Sequence, residues 1–334
     1  MSSVDVIVPC YRYGHFLRGC VKSVLEQRGV DVRILIIDDC SPDDTAEVAL
    51  DLCGSDSRVA FVRHSVNRGH IATYNEGIDW IFAPFYLLLS ADDFLLPGAL
   101  RRTTEFMEAN PSIGLAYGEA ITLQDGDPIE DSGAEDAEFD WRIVSGPAFI
   151  RMSGARNCVP TPCAIVRTDL QKRLGGYRPE LPHSGDMEMW LRLAAHADVG
   201  ISQVHHAVYR RHANNMSLSY VAQSWLPDLR QRKAALDCFL SSGGVTLPRI
   251  EQMHRTALHF LAREAVGFAS TAFNNQQMEL SRQLSRFAVE ISPDIVRSQC
   301  WFKLSCKRSI GFNAWCGMQA SISRLRQSVY KQQI

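Results

Sequence analysis

Much that would direct a first reading is absent from this chain of 334 residues. Its formal charge at neutral pH is only −2, so no global basic field draws in nucleic acid, and no nucleic-acid partner is expected. Its ten cysteines are scattered and none falls in a CxxC pair, which removes the usual zinc and dithiol redox sites and makes a reducing cytosol the natural home. No apolar run reaches the ~20 residues that a membrane-crossing helix needs. The longest, Trp80 to Ala91, is interrupted by Pro84. The N-terminus carries Asp5 and reaches Pro9 without a basic stretch followed by an apolar core, so no signal peptide is expected.

What is present is enough apolar residue, 46%, for a sizeable core, and a length that suits two domains or one large domain with an appendage. The first part alternates two patterns. "VDVIVP" (4 to 9), "VRILIID" (32 to 38), "VAFVRH" (59 to 64) and "FYLLLS" (85 to 90) are apolar runs of strand length. Between them, "HFLRGCVKSVLEQ" (15 to 27), "SPDDTAEVALDLC" (41 to 53) and "HIATYNEGIDWIF" (70 to 82) have apolar residues at helical spacing. Ser41 is a candidate N-cap of the second helix, with Pro42 at its first position. This order predicts an α/β fold: a mostly parallel sheet covered by helices on both faces.

In open sheets of that kind ligands bind beyond the carboxyl ends of the strands. Tyr11 and Arg12, Asp38 and Asp39, Asn67 to His70, and Asp92 and Asp93 each follow a strand end, so four polar clusters should converge on one rim. Any one of them alone would read as a polar turn; the series reads as a site. Asp92 and Asp93 are adjacent carboxylates between apolar runs, and in a poorly solvated place their repulsion amounts to several kcal/mol unless a cation joins them. Neither GxxxxGK(S/T) nor a GxGxxG after the first strand occurs, so a nucleotide would be held without those phosphate cradles. A hard cation at the double acid, Mg²⁺ or Mn²⁺, could serve by bridging to diphosphate oxygens.

The ordered set "VIVPCYRYGHFLRGCVKSVLEQ", "IIDDCSPDDT", "NRGHIATYNEG" and "LLLSADDFLLPGAL" resembles the nucleotide-binding half of the inverting glycosyltransferases of family 2, which have the GT-A fold. The likeness covers roughly the first 220 residues. Three positions depart from the family's patterns: Arg12 stands where P-x-Y-N has asparagine, Cys40 where D-D-G-S has glycine, and Thr73 where many members have the alanine of A-x-N. The resemblance implies that Pro9 and Tyr11 line a nucleotide pocket and that Asp39 accepts a hydrogen bond from the base, uracil, of a UDP-sugar donor. It implies that Asn67, Gly69 and Asn75 belong to the same nucleotide-sugar site, that Asp92 faces the ribose or the sugar, and that Asp93 holds the metal. Asp38, outside the family's binding position, is expected to be a solvated turn acid or a helix cap.

Further on, "PHSGDMEMWLRLAAH" (182 to 196) places Gly185 and Asp186 at the mouth of an aromatic helix, and by resemblance Asp186 is the catalytic base that deprotonates the acceptor. An N-cap role for Asp186 is compatible with that, and Glu188 is a secondary candidate. "YRRHANNMS" (209 to 217) resembles a segment that closes over the site, with His212 either on the metal or diphosphate or purely structural. "NCVPTPCAIVR" (157 to 167) is expected on the acceptor side, its cysteines apolar strand residues.

Between Thr103 and Trp141 there is no lysine or arginine, and "QDGDPIEDSGAEDAEFD" (124 to 140) is dense in acids: a surface loop, read either as a solvated insertion or as a lid over the acceptor groove. From about Tyr220 the pattern turns helical, over 224 to 240, 247 to 273 and 276 to 291, which divides the chain into a catalytic domain (1–220) and a helical region (221–334) with no catalytic constellation of its own. No acid follows Asp294, whereas basic residues and tryptophans do, so residues 295–334 read either as a peripheral contact with an anionic membrane surface or as packing on the chain's own domain or a twin subunit of a homodimer. The expected protein is a metal-dependent, cytoplasmic transferase at the inner face of the plasma membrane, acting on a glycan or lipid-linked acceptor. A sugar nucleotidyltransferase would instead require a G-x-G-x-R run after the first strand, which is missing. A noncatalytic nucleotide-sugar-binding module would lack the base, which Asp186 supplies.

Overall fold

A computed structural model describes residues 1–124, 140–216, 218–221, 224–241, 247–315 and 317. The acidic segment read as an insertion or lid, 125–139, and most of the basic C-terminal tail, 318–334, lie outside the described residues.

The four apolar runs form β1 (Ser3–Cys10), β2 (Asp31–Asp38), β3 (Val59–Arg63) and β4 (Phe85–Leu88), and they pair in parallel in the order β3-β2-β1-β4. Helices α1 (Gly14–Leu25), α2 (Thr45–Ser55) and α3 (His70–Trp80) connect them. β1 and β4 are buried along nearly their whole length because both faces are covered, which is why their sequences are continuous rather than alternating. Helix α3 crosses β1 closely: a Cβ on Gly77 would lie 2.3 Å from Ile7 Cγ2, so only glycine lets this helix approach and carry its N-terminus to the rim.

Beyond β4 the sheet becomes mixed. After the two-residue strand β5 (Phe94–Leu95) and α4 (Ala99–Ala109) come β6 (Ile113–Gln124), β7 (Arg142–Val144), α5 (Gly146–Ser153), β8 (Ile165–Arg167), α6 (Thr168–Leu174), α7 (Gly185–Ala194) and the long β9 (Asp198–Arg211). β8 runs antiparallel between β4 and β6, and β9 pairs with β6 in parallel and with β5 and β7 antiparallel. β9 thereby carries the chain back to the double acid: Phe94 pairs with Val208, two residues from Arg210.

After the short α8 (Leu218–Val221), the helices α9 (Leu226–Ser241), α10 (Ile250–Asn274) and α11 (Met278–Ile291) follow the helical spacing read from the sequence, and a further helix, α12 (Gln299–Ile310), comes after them. They do not stand apart: Leu229, Leu236, Leu261 and Ala265 belong to one continuous apolar core with the sheet. No helix among the described residues is long and apolar enough to cross a membrane. Part of the basic tail is already engaged on this bundle. Lys307 Nζ donates to Ser270 Oγ (2.6 Å), and Arg308 Nη2 donates to Ser281 O (2.8 Å) and Ser285 Oγ (2.8 Å).

The helix-start reading at Ser41 needs correction. α2 begins at Thr45 with Asp44 in the cap position, and Ser41 belongs to the preceding turn, where its N–H donates to Asp38 Oδ1 (2.8 Å) and its Oγ accepts from Arg12 N–H (2.9 Å). Asp38 is buried rather than solvated, and Arg63 Nε lies 3.1 Å from its Oδ2.

Candidate active site

At the carboxyl ends of β1, β2 and β4 lies a cavity of about 1070 Å³. Pro9, Tyr11, Asp39, Asn67, Gly69, Asp92, Asp93 and Asp186 all line it. The topology rule accounts for the convergence: each of the first seven sits where a parallel strand or its following loop opens onto the same rim.

Two departures from the family's patterns fall where backbone geometry is special. Arg12 has φ 64° and Cys40 has φ 61°, both in the left-handed region that asparagine and glycine tolerate and other residues enter at a cost. The family's preferred residues at these positions thus reflect the turn, and the turn survives here with less suitable side chains. Cys40→Gly should relieve strain of ~1–2 kcal/mol against the ~0.5–1 kcal/mol that glycine adds to unfolded-chain entropy. A modest rise in melting temperature is expected, and a clear fall would show that the Cys40 side chain is itself needed.

Asp39 is a buried clamp. Its Oδ1 accepts from the backbone N–H of Arg68 (2.7 Å) and faces His64 Nδ1 (2.7 Å), while Oδ2 accepts from the backbone N–H of Gly69 (2.8 Å). His64 Nε2 in turn lies 3.0 Å from Glu76, which also takes Arg68 Nη1 at 2.5 Å. Three of the four lone-pair directions of the Asp39 carboxylate are occupied, leaving one on Oδ2 for a ligand's N–H. Gly69, at φ 82°, turns the chain into α3, and Asn67 Oδ1 accepts its N–H at 3.2 Å.

Asp92 and Asp93 are both buried at the cavity wall. Ser90 Oγ–H donates to Asp92 Oδ1, and His212 Nε2 (3.1 Å) and Asn215 Nδ2 (3.3 Å) approach Asp92 Oδ2. Asp93 Oδ1 accepts the backbone N–H of Arg210 (2.9 Å). Burial, and then the neighbouring charge of Asp92, push the Asp93 carboxyl well above the usual carboxylate range despite that hydrogen bond. This is the signature of an uncompensated pair, and a divalent cation would reverse it. Among the described residues no three His, Cys, Asp or Glu side chains form a metal cage. Mg²⁺ and Mn²⁺ held by one or two carboxylates together with substrate phosphates need none, so the oxygen donors here fit such an ion.

Three predicted site residues are arranged differently from expectation. His212 Nδ1 lies 3.3 Å from the Asn214 N–H and Nε2 lies 3.1 Å from Asp92 Oδ2, so both ring nitrogens are engaged by the protein and the histidine orients a carboxylate. Asn75 does not line the cavity. Its Nδ2 donates to Tyr177 O (2.9 Å) and its Oδ1 accepts Tyr177 N–H (2.7 Å), which fixes the segment before α7. Asp186 is not the cap of α7: Ser184 occupies that position, and Asp186 turns into the cavity.

The Asp186 carboxylate is held by two good donors, Met187 N–H on Oδ1 (2.7 Å) and Asn157 Nδ2 on Oδ2 (2.6 Å), with Thr161 Oγ1 farther off at 3.4 Å. Burial against this wall raises its pKa, and these donors only partly offset the shift. The secondary candidate Glu188 is turned away. It is fully buried and paired with Arg192 (2.9 Å) in the core.

Several cavity residues carry no signal in the sequence. Asn157 belongs to the expected acceptor wall, yet nothing marks it as the partner of Asp186; Cys158 beside it is exposed in a loop and Cys163 lies in a 3-10 turn, so neither is a strand residue. Asp228 and Arg232, on α9, also line the cavity, with Asp228 Oδ1 facing His183 Nε2 at 2.9 Å and Arg232 paired to Glu264 at 2.7 Å. The helical region therefore contributes to the site wall.

Fold and rim define an α/β domain with an acid-lined ligand cavity at its strand ends. Residues 5–133 match the family model of glycosyl transferase family 2, and the chain carries a glycosyltransferase domain of that family. It is 29% identical over 221 residues to an uncharacterized protein of Mycobacterium tuberculosis, a match covering 63% of this chain and 67% of that one. To the GalNAc(5)-diNAcBac-PP-undecaprenol beta-1,3-glucosyltransferase of Campylobacter jejuni it is 30% identical over 144 residues, covering 43% of this chain and 46% of the relative. The crystal structure of residues 1–349 of S. aureus TarS in complex with UDP-GlcNAc superposes with a TM-score of 0.56 over 89% of this chain and 92% of that one; at 15% identity the likeness is one of fold.

Proposed function

We propose that the chain transfers a sugar from UDP to a hydroxyl of a glycan or lipid-linked acceptor, with a divalent cation and with inversion at the anomeric carbon. The observation that carries this reading is the sharing of one cavity by Asp186, a carboxylate of raised pKa held by Met187 N–H and Asn157, and the double acid Asp92–Asp93. A proton acceptor and a place for a diphosphate are the two things that glycosyl transfer needs. A nucleoside-diphosphate sugar is also what the TarS fragment of the same fold holds, and the lipid-linked substrate in the Campylobacter relative's name supports an acceptor of that kind.

In this mechanism the remaining lone pair on Asp39 Oδ2 accepts the N–H of uracil, and Pro9 and Tyr11 bound the base. Asp93, with Asp92 beside it, would hold Mn²⁺ or Mg²⁺, which would supply neutralisation of the charge developing on the leaving diphosphate. His212, Asn215 and Ser90 keep Asp92 in place for the ribose or sugar. Asp186 removes the acceptor proton as the acceptor oxygen attacks opposite the leaving group. The reading also takes residues 1–220 as the catalytic domain and puts the enzyme at the inner membrane surface.

The test is a screen of UDP-sugars for acceptor-dependent UDP release, followed by NMR of the product's anomeric configuration. An α-linked donor should give a β-linked product. Retention of configuration would overturn the single-displacement mechanism.

A further inference from the structure

A second cavity, of about 400 Å³, lies between the helical region and the back of the catalytic part, walled by α5, α7, α9 and α10. Its interior is apolar: Leu191, Leu236, Phe239 and Ala257 are buried there, and Phe260 stands half-exposed at the opening. The volume lies within the range of sites that take small organic ligands. Its charge is one-sided. The lining includes Arg151 and Arg249 and no aspartate or glutamate. Both arginines are exposed, and neither guanidinium group has a hydrogen-bond or ion-pair partner among the described residues. Arg249 is moreover held at φ 61°, a left-handed conformation that is costly for a residue with a side chain and that tends to persist where function selects it.

We propose that this cavity binds a single-chain anionic amphiphile, a long-chain alkyl phosphate, with the chain against Leu236, Phe239 and Ala257 and the phosphate between Arg151 and Arg249. Two unengaged guanidinium groups suit a phosphate through forked, charge-assisted hydrogen bonds. Gln252, His254 and Thr256 also line the cavity, with His254 already paired to Asp237 (3.0 Å), but against the leucine, phenylalanine and alanine side water finds few polar partners, so an alkyl chain displaces it favourably there. The site is separate from the acid-lined cavity and does not depend on the transferase reading, because no residue lines both.

The experiment is a calorimetric titration of the full chain with dodecyl phosphate below its micelle concentration, with dodecanol and inorganic phosphate as parallel ligands. Saturable one-to-one binding of dodecyl phosphate, at least tenfold tighter than dodecanol, is expected, with none from inorganic phosphate. Arg151→Glu/Arg249→Glu should weaken dodecyl phosphate at least tenfold while leaving the melting temperature unchanged, since both side chains are exposed. Ala257→Trp, which fills the cavity, should abolish binding of either chain. No binding by the native chain, equal binding of dodecanol and dodecyl phosphate, or an unaltered affinity in the double arginine variant would overturn the proposal.

Discussion

Asp186→Asn is expected to lower the transfer rate by about 10²–10⁴-fold, the range over which a positioned general base contributes, while leaving donor affinity unchanged. Asparagine keeps the shape of the side chain and its oxygen can still accept Met187 N–H, while its Nδ2 takes the place of the oxygen that faced Asn157, whose amide can turn over to accept from it; the wall of the cavity should stand, and what is lost is the capacity to take a proton. The pH profile gives a second reading of the same residue. A base acts only when ionised, so the native rate should rise with pH and level off above the Asp186 pKa. Because burial raises that pKa, the limb should lie above the ordinary aspartate range near 3.9. Asn157 holds the charged form, so Asn157→Ala should move the limb to still higher pH. A full-rate Asp186→Asn enzyme would remove the residue from the mechanism.

Asp93→Ala should cost about 10²–10³-fold in turnover, the scale seen when one preorganised charge-stabilising group is removed, and should erase the response of UDP affinity to Mn²⁺. The two acids are not equivalent. Asp92 already has Ser90, His212 and Asn215 around it, whereas Asp93 has one backbone N–H and a carboxyl pushed upward by burial and by Asp92. The less compensated group gains most from a cation. A variant that loses turnover yet keeps the full Mn²⁺ response would transfer the cation to other ligands.

The strands of the first part were legible because strands in a covered parallel sheet read as unbroken apolar runs, and four such runs came in sequence; their order across the sheet, β3-β2-β1-β4 with β3 an exposed edge, was not. The rim followed from the alternation of strands and helices by a topological rule, which is why Tyr11, Asp39, Asn67, Asp92 and Asp93 could be grouped from the sequence. Beyond β4 the sequence was less informative: β5 and β8 have two and three residues, too short for a periodic signal, and the antiparallel pairings depend on where β9 returns. Side-chain direction was also out of reach. Asn75 and Asp186 are both polar residues at expected positions, but one reaches for the Tyr177 backbone and the other enters the cavity. Likewise, no local pattern links Asn157 to Asp186, or Asp228 on α9 to His183, since those pairs meet only through the tertiary fold.

The most direct test is a calorimetric titration of UDP into the native chain, with Mn²⁺ and again after its removal by EDTA. One-to-one binding with Mn²⁺ that weakens at least tenfold without it is the predicted result. Absence of UDP binding under both conditions, or equal affinity in the two, would contradict a metal-assisted nucleoside-diphosphate site at Asp92 and Asp93.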